Sequence, residues 1–70
     1  MSESIYKVIE LIGSSEKSWE DAAKKAVERA AQTLEDLRIA EVTNMDMKIE
    51  EGKVVAYRTK VKLSFRFREG

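Results

Sequence analysis

The sequence predicts an α+β fold of order β-α-β-β, a three-stranded antiparallel sheet wrapped around one helix. Two patterns carry that prediction. Between Val54 and Phe67 successive residues alternate: Val55, Tyr57, Thr59, Val61, Leu63, Phe65 and Phe67 fall on one side. That is the period of a strand with one buried face. Between Trp19 and Leu37, apolar residues recur at the i, i+3, i+4, i+7 spacing of an amphipathic helix.

Each element follows in order. Ile5 to Ile12 reads as a first strand, rich in β-branched and aromatic residues and closed by Gly13. Its apolar residues lie on both faces, Ile5, Ile9 and Leu11 against Tyr6, Val8 and Ile12, so both faces need cover. Gly13 to Lys17 reads as a polar turn. Ser18 is placed to cap a helix, with Asp21 three residues on and acids suited to the positive end of the dipole.

The helix is expected from about Trp19 to Asp36. Its stripe of Trp19, Ala22, Ala23, Ala26, Val27, Ala30, Leu34 and Leu37 is dominated by alanine, which lets it lie close on a sheet. A second strand begins near Arg38. There Ala40 and Val42 have one parity and Met45, Met47 and Ile49 the other. Either both faces are covered or a bulge between Thr43 and Asp46 shifts the register, and the bulge is the preferred reading. Glu50 to Lys53 reads as a hairpin turn with Gly52 at positive φ.

Seventy residues, 1–70, make one small domain. A core of this size leaves only about 3–5 kcal/mol of net stability, so such chains lean on disulfides, metals or association. The chain has no Cys and no His, which removes disulfides, thiolate metal sites and the usual general base. Association remains. The even side of the last strand carries Arg58, Lys60, Lys62 and Arg66, and one helix cannot also cover that side. Other copies of the chain are the expected cover.

Thirteen Lys plus Arg balance thirteen Asp plus Glu. That balance argues against a nucleic-acid partner, whose binders carry a basic excess. No apolar run approaches bilayer length, and the N-terminus lacks a signal-peptide pattern. A cytoplasmic protein with no membrane partner is expected. No pair of carboxylates, lysines or tyrosines has the spacing of an acid–base pair, so no enzyme is expected.

The ordered set Tyr6-Lys7-Val8-Ile9-Glu10, Gly13-Ser14-Ser15, Ser18-Trp19-Glu20-Asp21-Ala22, Glu28-Arg29-Ala30, Leu37-Arg38, Glu41-Val42, Gly52, Tyr57, Val61-Lys62 and Phe65-Arg66 resembles the dodecins. The resemblance spans nearly the whole chain without gaps. It implies a hollow homododecamer with sheets facing inward and helices outside, which sequesters or buffers a small ligand. The family ligand is riboflavin, FMN or FAD, held near twofold axes by a stacking Trp and an edge-reading Gln. Those ligand-binding positions fall here on Ile39 and Arg58, so flavin binding is expected to be weak or lost. Around Arg38-Ile39-Ala40 and Met45-Asp46-Met47 the chain looks like a branch that lacks the Trp and is described as binding calcium.

The candidates divide accordingly. Arg58 either meets an anionic ligand or pairs with Glu41 or Asp46 of a neighbour. Asp46 and Glu50 are the candidate metal residues, offering hard oxygens to calcium. Trp19 is expected to be a core staple, and Met45 and Met47 interface filler. The alternative to ligand storage is a structural, ion-binding assembly, with calcium as the candidate ion and no dedicated organic ligand.

Overall fold

A computed structural model describes residues 5–66. It contains β1 (Tyr6–Ser15), α1 (Trp19–Ala30), β2 (Leu37–Glu50) and β3 (Lys53–Arg66), in one antiparallel sheet of order β1-β3-β2. The chain order and sheet are those the sequence predicts. Phe67, the last residue of the predicted alternation, lies outside the described residues.

β1 runs three residues further than expected. Gly13, Ser14 and Ser15 pair with Thr59, Arg58 and Tyr57 instead of forming a turn. The missing side chain at Gly13 explains this, because the helix lies directly on it. A Cβ there would overlap the Ala22 carbonyl oxygen and approach the Ala26 Cβ to 3.1 Å. Ser15, itself buried, donates its hydroxyl to Asp21 at 2.6 Å and ties the strand end to the first helical turn. Ser18 caps that turn, accepting the Asp21 amide at 3.0 Å as the sequence suggests.

The helix is shorter than predicted, ending at Ala30 and not near Asp36. Gln32 and Thr33 bond back to Arg29 and Ala30 by tighter i→i−3 contacts. Asp36 adopts φ of 61°, which no helix continues through. Leu34 and Leu37 still pack on the core, so the apolar period outlasts the helix that suggested it.

Ala22, Ala26 and Ala30 of α1 lie against Val61 and Leu63 of β3, with Ile9 and Leu11 of β1 beside them. α1 packs on β1 and β3 and barely touches β2. Twelve helical residues extend about 18 Å, against about 46 Å for a fourteen-residue strand. One helix therefore leaves most of β2 uncovered, and Val42, Met45 and Met47 remain about half exposed.

The β2 bulge is present, one step earlier than placed from sequence. The register shifts between Val42 and Asn44, with Thr43 as the extra residue. Ala40 and Val42 then pair with Leu63 and Val61, and Met45 and Met47 with Thr59 and Tyr57, all on the helix side. A further shift between Lys48 and Ile49 skips Val55, so the unbroken alternation of β3 begins at Ala56. The hairpin closes through Glu51 and Gly52, with φ of 52° and 76°, the positive pair of a type I′ turn.

Candidate ligand and ion site on the open sheet face

Alternation from the buried residues Thr59, Val61 and Leu63 turns the even residues of β3 to the side away from the helix. Register then sets four cross-strand rows on this open face. They are Val8-Ser64-Ile39, Glu10-Lys62-Glu41, Ile12-Lys60-Asn44 and Ser14-Arg58-Asp46, each written β1-β3-β2. Acids on the outer strands thus flank the basic central strand.

The strongest feature is a pair within one chain. Arg58 donates Nε and a terminal nitrogen to the two oxygens of Asp46, both at 2.7 Å. This bidentate geometry is the preferred fit of a planar guanidinium to a carboxylate. Asp46 was expected as a partner from a neighbouring copy and is found on the same chain. Lys60 lies 4.0 Å from Glu10, a looser contact.

The Arg58 hydrogen bonds, with its positive charge, hold the Asp46 carboxyl below its ordinary value of 3.8. Asp21 is lowered too, first by the Ser15 hydroxyl and then by Lys25. A carboxyl lowered in the folded state adds stability above its unfolded value that disappears as pH falls through the folded one. Thermal stability should therefore hold down to about pH 3.8 and drop below it. Melting curves across a pH series, with Asp46→Asn showing a shallower acid loss, would check this. Equal acid loss in both proteins would remove Asp46 from the account.

Ile39 sits beside Ser64 and is 63 % exposed. Arg58 lies six residues from Ser64 along β3, about 20 Å away. The two candidate ligand positions therefore do not meet within one chain. Asp46 and Glu50 are likewise apart, by about 13 Å along β2, and Glu50 rests on Lys48 at 3.5 Å. Among the described residues no group of three Asp, Glu, His or Cys side chains could hold a metal. Between Arg58 and Lys60 lies a hollow of about 180 Å³, also lined by Ile12, Asn44 and Asp46. Neither Ile12 nor Asn44 carries a sequence signal for it. Only the shift at Thr43 brings Asn44 to this face.

A protein-family model described as Dodecin matches residues 5–68. The chain belongs to the dodecin family. A dodecin structure from Streptomyces coelicolor superposes with a TM-score of 0.92 at 40 % identity, covering all of both chains. The calcium dodecin of Mycobacterium tuberculosis is 45 % identical over 93 % of this chain and 92 % of its own length. Its crystal structure, described as that of a calcium-chelating antigen with a novel calcium-binding site, gives a TM-score of 0.83 at 46 % identity, covering 96 % of each chain. The dodecin of Thermus thermophilus is 37 % identical over 93 % of this chain and 94 % of its own. No helix among the described residues of this dodecin is long and apolar enough to cross a membrane.

Proposed function

We propose that this chain assembles with itself into a dodecin-type shell, a homododecamer by family resemblance, that binds small ions in preference to flavin. The Asp46–Arg58 pair carries the reading. Arg58 occupies the position matched to the family's edge-reading Gln, and two of its N–H donors are already held by a carboxylate. Ile39, at the position of the stacking Trp, offers no aromatic face. The exposed Tyr6, Val8, Ile12 and Ile39 of the open face support burial of that face between copies.

Calcium is the ion to test, because a relative of 45 % identity is named a calcium dodecin. Calcium takes 6–8 oxygen ligands, and the separated carboxylates of one chain supply too few. Copies gathered at a symmetry axis would each contribute one. Glu50 is the more available donor, exposed and only loosely held by Lys48, whereas Asp46 would first have to leave Arg58. The role is binding and buffering, not catalysis, and the cytoplasm is the proposed location.

The test combines sedimentation with calcium titration of chelator-treated protein. We expect a species many times the 8.0 kDa chain mass. Calcium at a hundredfold excess over Kd should add about 2.7 kcal/mol of stability, and Glu50→Gln should reduce that gain. A monomer in sedimentation overturns the shell. An assembly that ignores calcium but quenches added riboflavin overturns the ion preference and restores flavin storage.

A further inference from the structure

Four interactions close a ring around the β3–β2 pair, through both faces of the sheet. On the helix side, Thr59 donates its hydroxyl to the Trp19 carbonyl at 2.9 Å. Tyr57 meets the indole edge-on, with ring centroids 5.0 Å apart and planes at 68°. Arg58, between those two residues in sequence, turns to the opposite face and grips the Asp46 carboxylate. The Asp46 backbone carbonyl in turn accepts the Trp19 indole N–H at 2.9 Å, which closes the ring.

We propose that Trp19 is a positioning residue for the Asp46–Arg58 pair, mechanically coupling the start of the outer helix to the open face. Asp46 is held twice, by its backbone from the helix side and by its carboxylate from the open side. Trp19 is held just as firmly, at the first position of α1 directly after the Ser18 cap. A ligand or ion that draws Asp46 from Arg58 loosens the carbonyl that the indole holds, and the helix start feels the change. The coupling lies within each chain, so it stands whether the open face binds calcium, flavin or neither.

Trp19 is the sole tryptophan, so its fluorescence reads this ring directly. Arg58→Gln and Asp46→Asn change exposed side chains and remove none of the atoms that the ring places against Trp19, which are the Asp46 backbone, Tyr57 and Thr59. In both variants the fraction of unbonded indole should rise about fivefold, the factor one hydrogen bond is worth. Acrylamide quenching should increase and emission should move to longer wavelength. Lys60→Gln, which removes a neighbouring open-face cation outside the ring, should leave both unchanged. Unaltered quenching in the first two variants, with far-UV dichroism retained, overturns the proposal. So does an equal change in Lys60→Gln, which would mark general loosening of the face.

Discussion

Gly13→Ala should yield a chain that fails to fold or to assemble, although it adds only one methyl group. The new Cβ would overlap the Ala22 carbonyl oxygen, lie 2.9 Å from its carbon and crowd Ala26 at 3.1 Å. Two of those three atoms are backbone, in a helix that cannot yield locally without lifting off the sheet. Ordinary overpacking costs about 1–3 kcal/mol. A clash against backbone should exceed that range, and a chain of this size has about 3–5 kcal/mol in all. Circular dichroism and sedimentation of the purified variant decide the matter. A Gly13→Ala protein melting within about 8 °C of the parent would limit the cost to about 1–2 kcal/mol and overturn the expected backbone clash.

The second large effect is a gain. The double change Ile39→Trp with Arg58→Gln should raise flavin affinity at least about tenfold. Tryptophan restores a stacking face, which is worth about 0.5–1.5 kcal/mol beyond area. Glutamine can both donate and accept, so the flavin N–H is no longer left facing a cation; an unmet buried donor costs about 1–3 kcal/mol. Combined, these effects come to about 1.5–4.5 kcal/mol, roughly 10- to 10³-fold, from which any remaining misfit subtracts. Removing Arg58 also releases Asp46, so adding Asp46→Asn should raise affinity further by relieving an unpaired charge near the ligand.

The gain should appear only in the assembled protein, because Ile39 and Arg58 are about 20 Å apart in one chain. Quenching of riboflavin fluorescence gives the affinity, and dilution to dissociated chains should abolish it. An assembled double variant with unchanged affinity would point to pocket shape. Ser64, directly opposite Ile39, is then the residue to change, whereas Met47 pairs with Tyr57 on the helix side.

Periodicity made the elements legible because it reports burial one residue at a time. The Ala22-Ala26-Ala30 stripe and the alternation of Thr59, Val61 and Leu63 both recur as the core. Where burial and backbone conformation part company, the reading slipped. Leu34 and Leu37 continue the helical period into a segment that has already left the helix. Gly13-Ser14-Ser15 has the composition of a turn, yet it is strand, because its small residues serve the approach of α1. The parity conflict at Met45 signalled a bulge, but parity alone could not place it at Thr43.

The site was less legible than the fold. Ile39, Arg58, Asp46 and Glu50 were all singled out as residues, yet nothing in their spacing said which would meet. Asp46 and Arg58 are twelve apart in sequence and become neighbours only through the hairpin register. Trp19 was read as a staple, and its indole does tie α1 to the sheet. Its partner, the backbone of Asp46, has no sequence signature.

The amino-acid order by itself determined the β-α-β-β architecture, the dodecin resemblance and the inability of one helix to shelter both sides of the sheet. Hydrophobic period and residue count are local properties, and they suffice for the architecture and the uncovered face; the resemblance rests on the order and spacing of the matching residues. The tertiary structure alone decided which charges pair on the open face and which residues Trp19 links across it. Those outcomes depend on strand register, and a single extra residue at Thr43 moves everything beyond it on β2 to the opposite face.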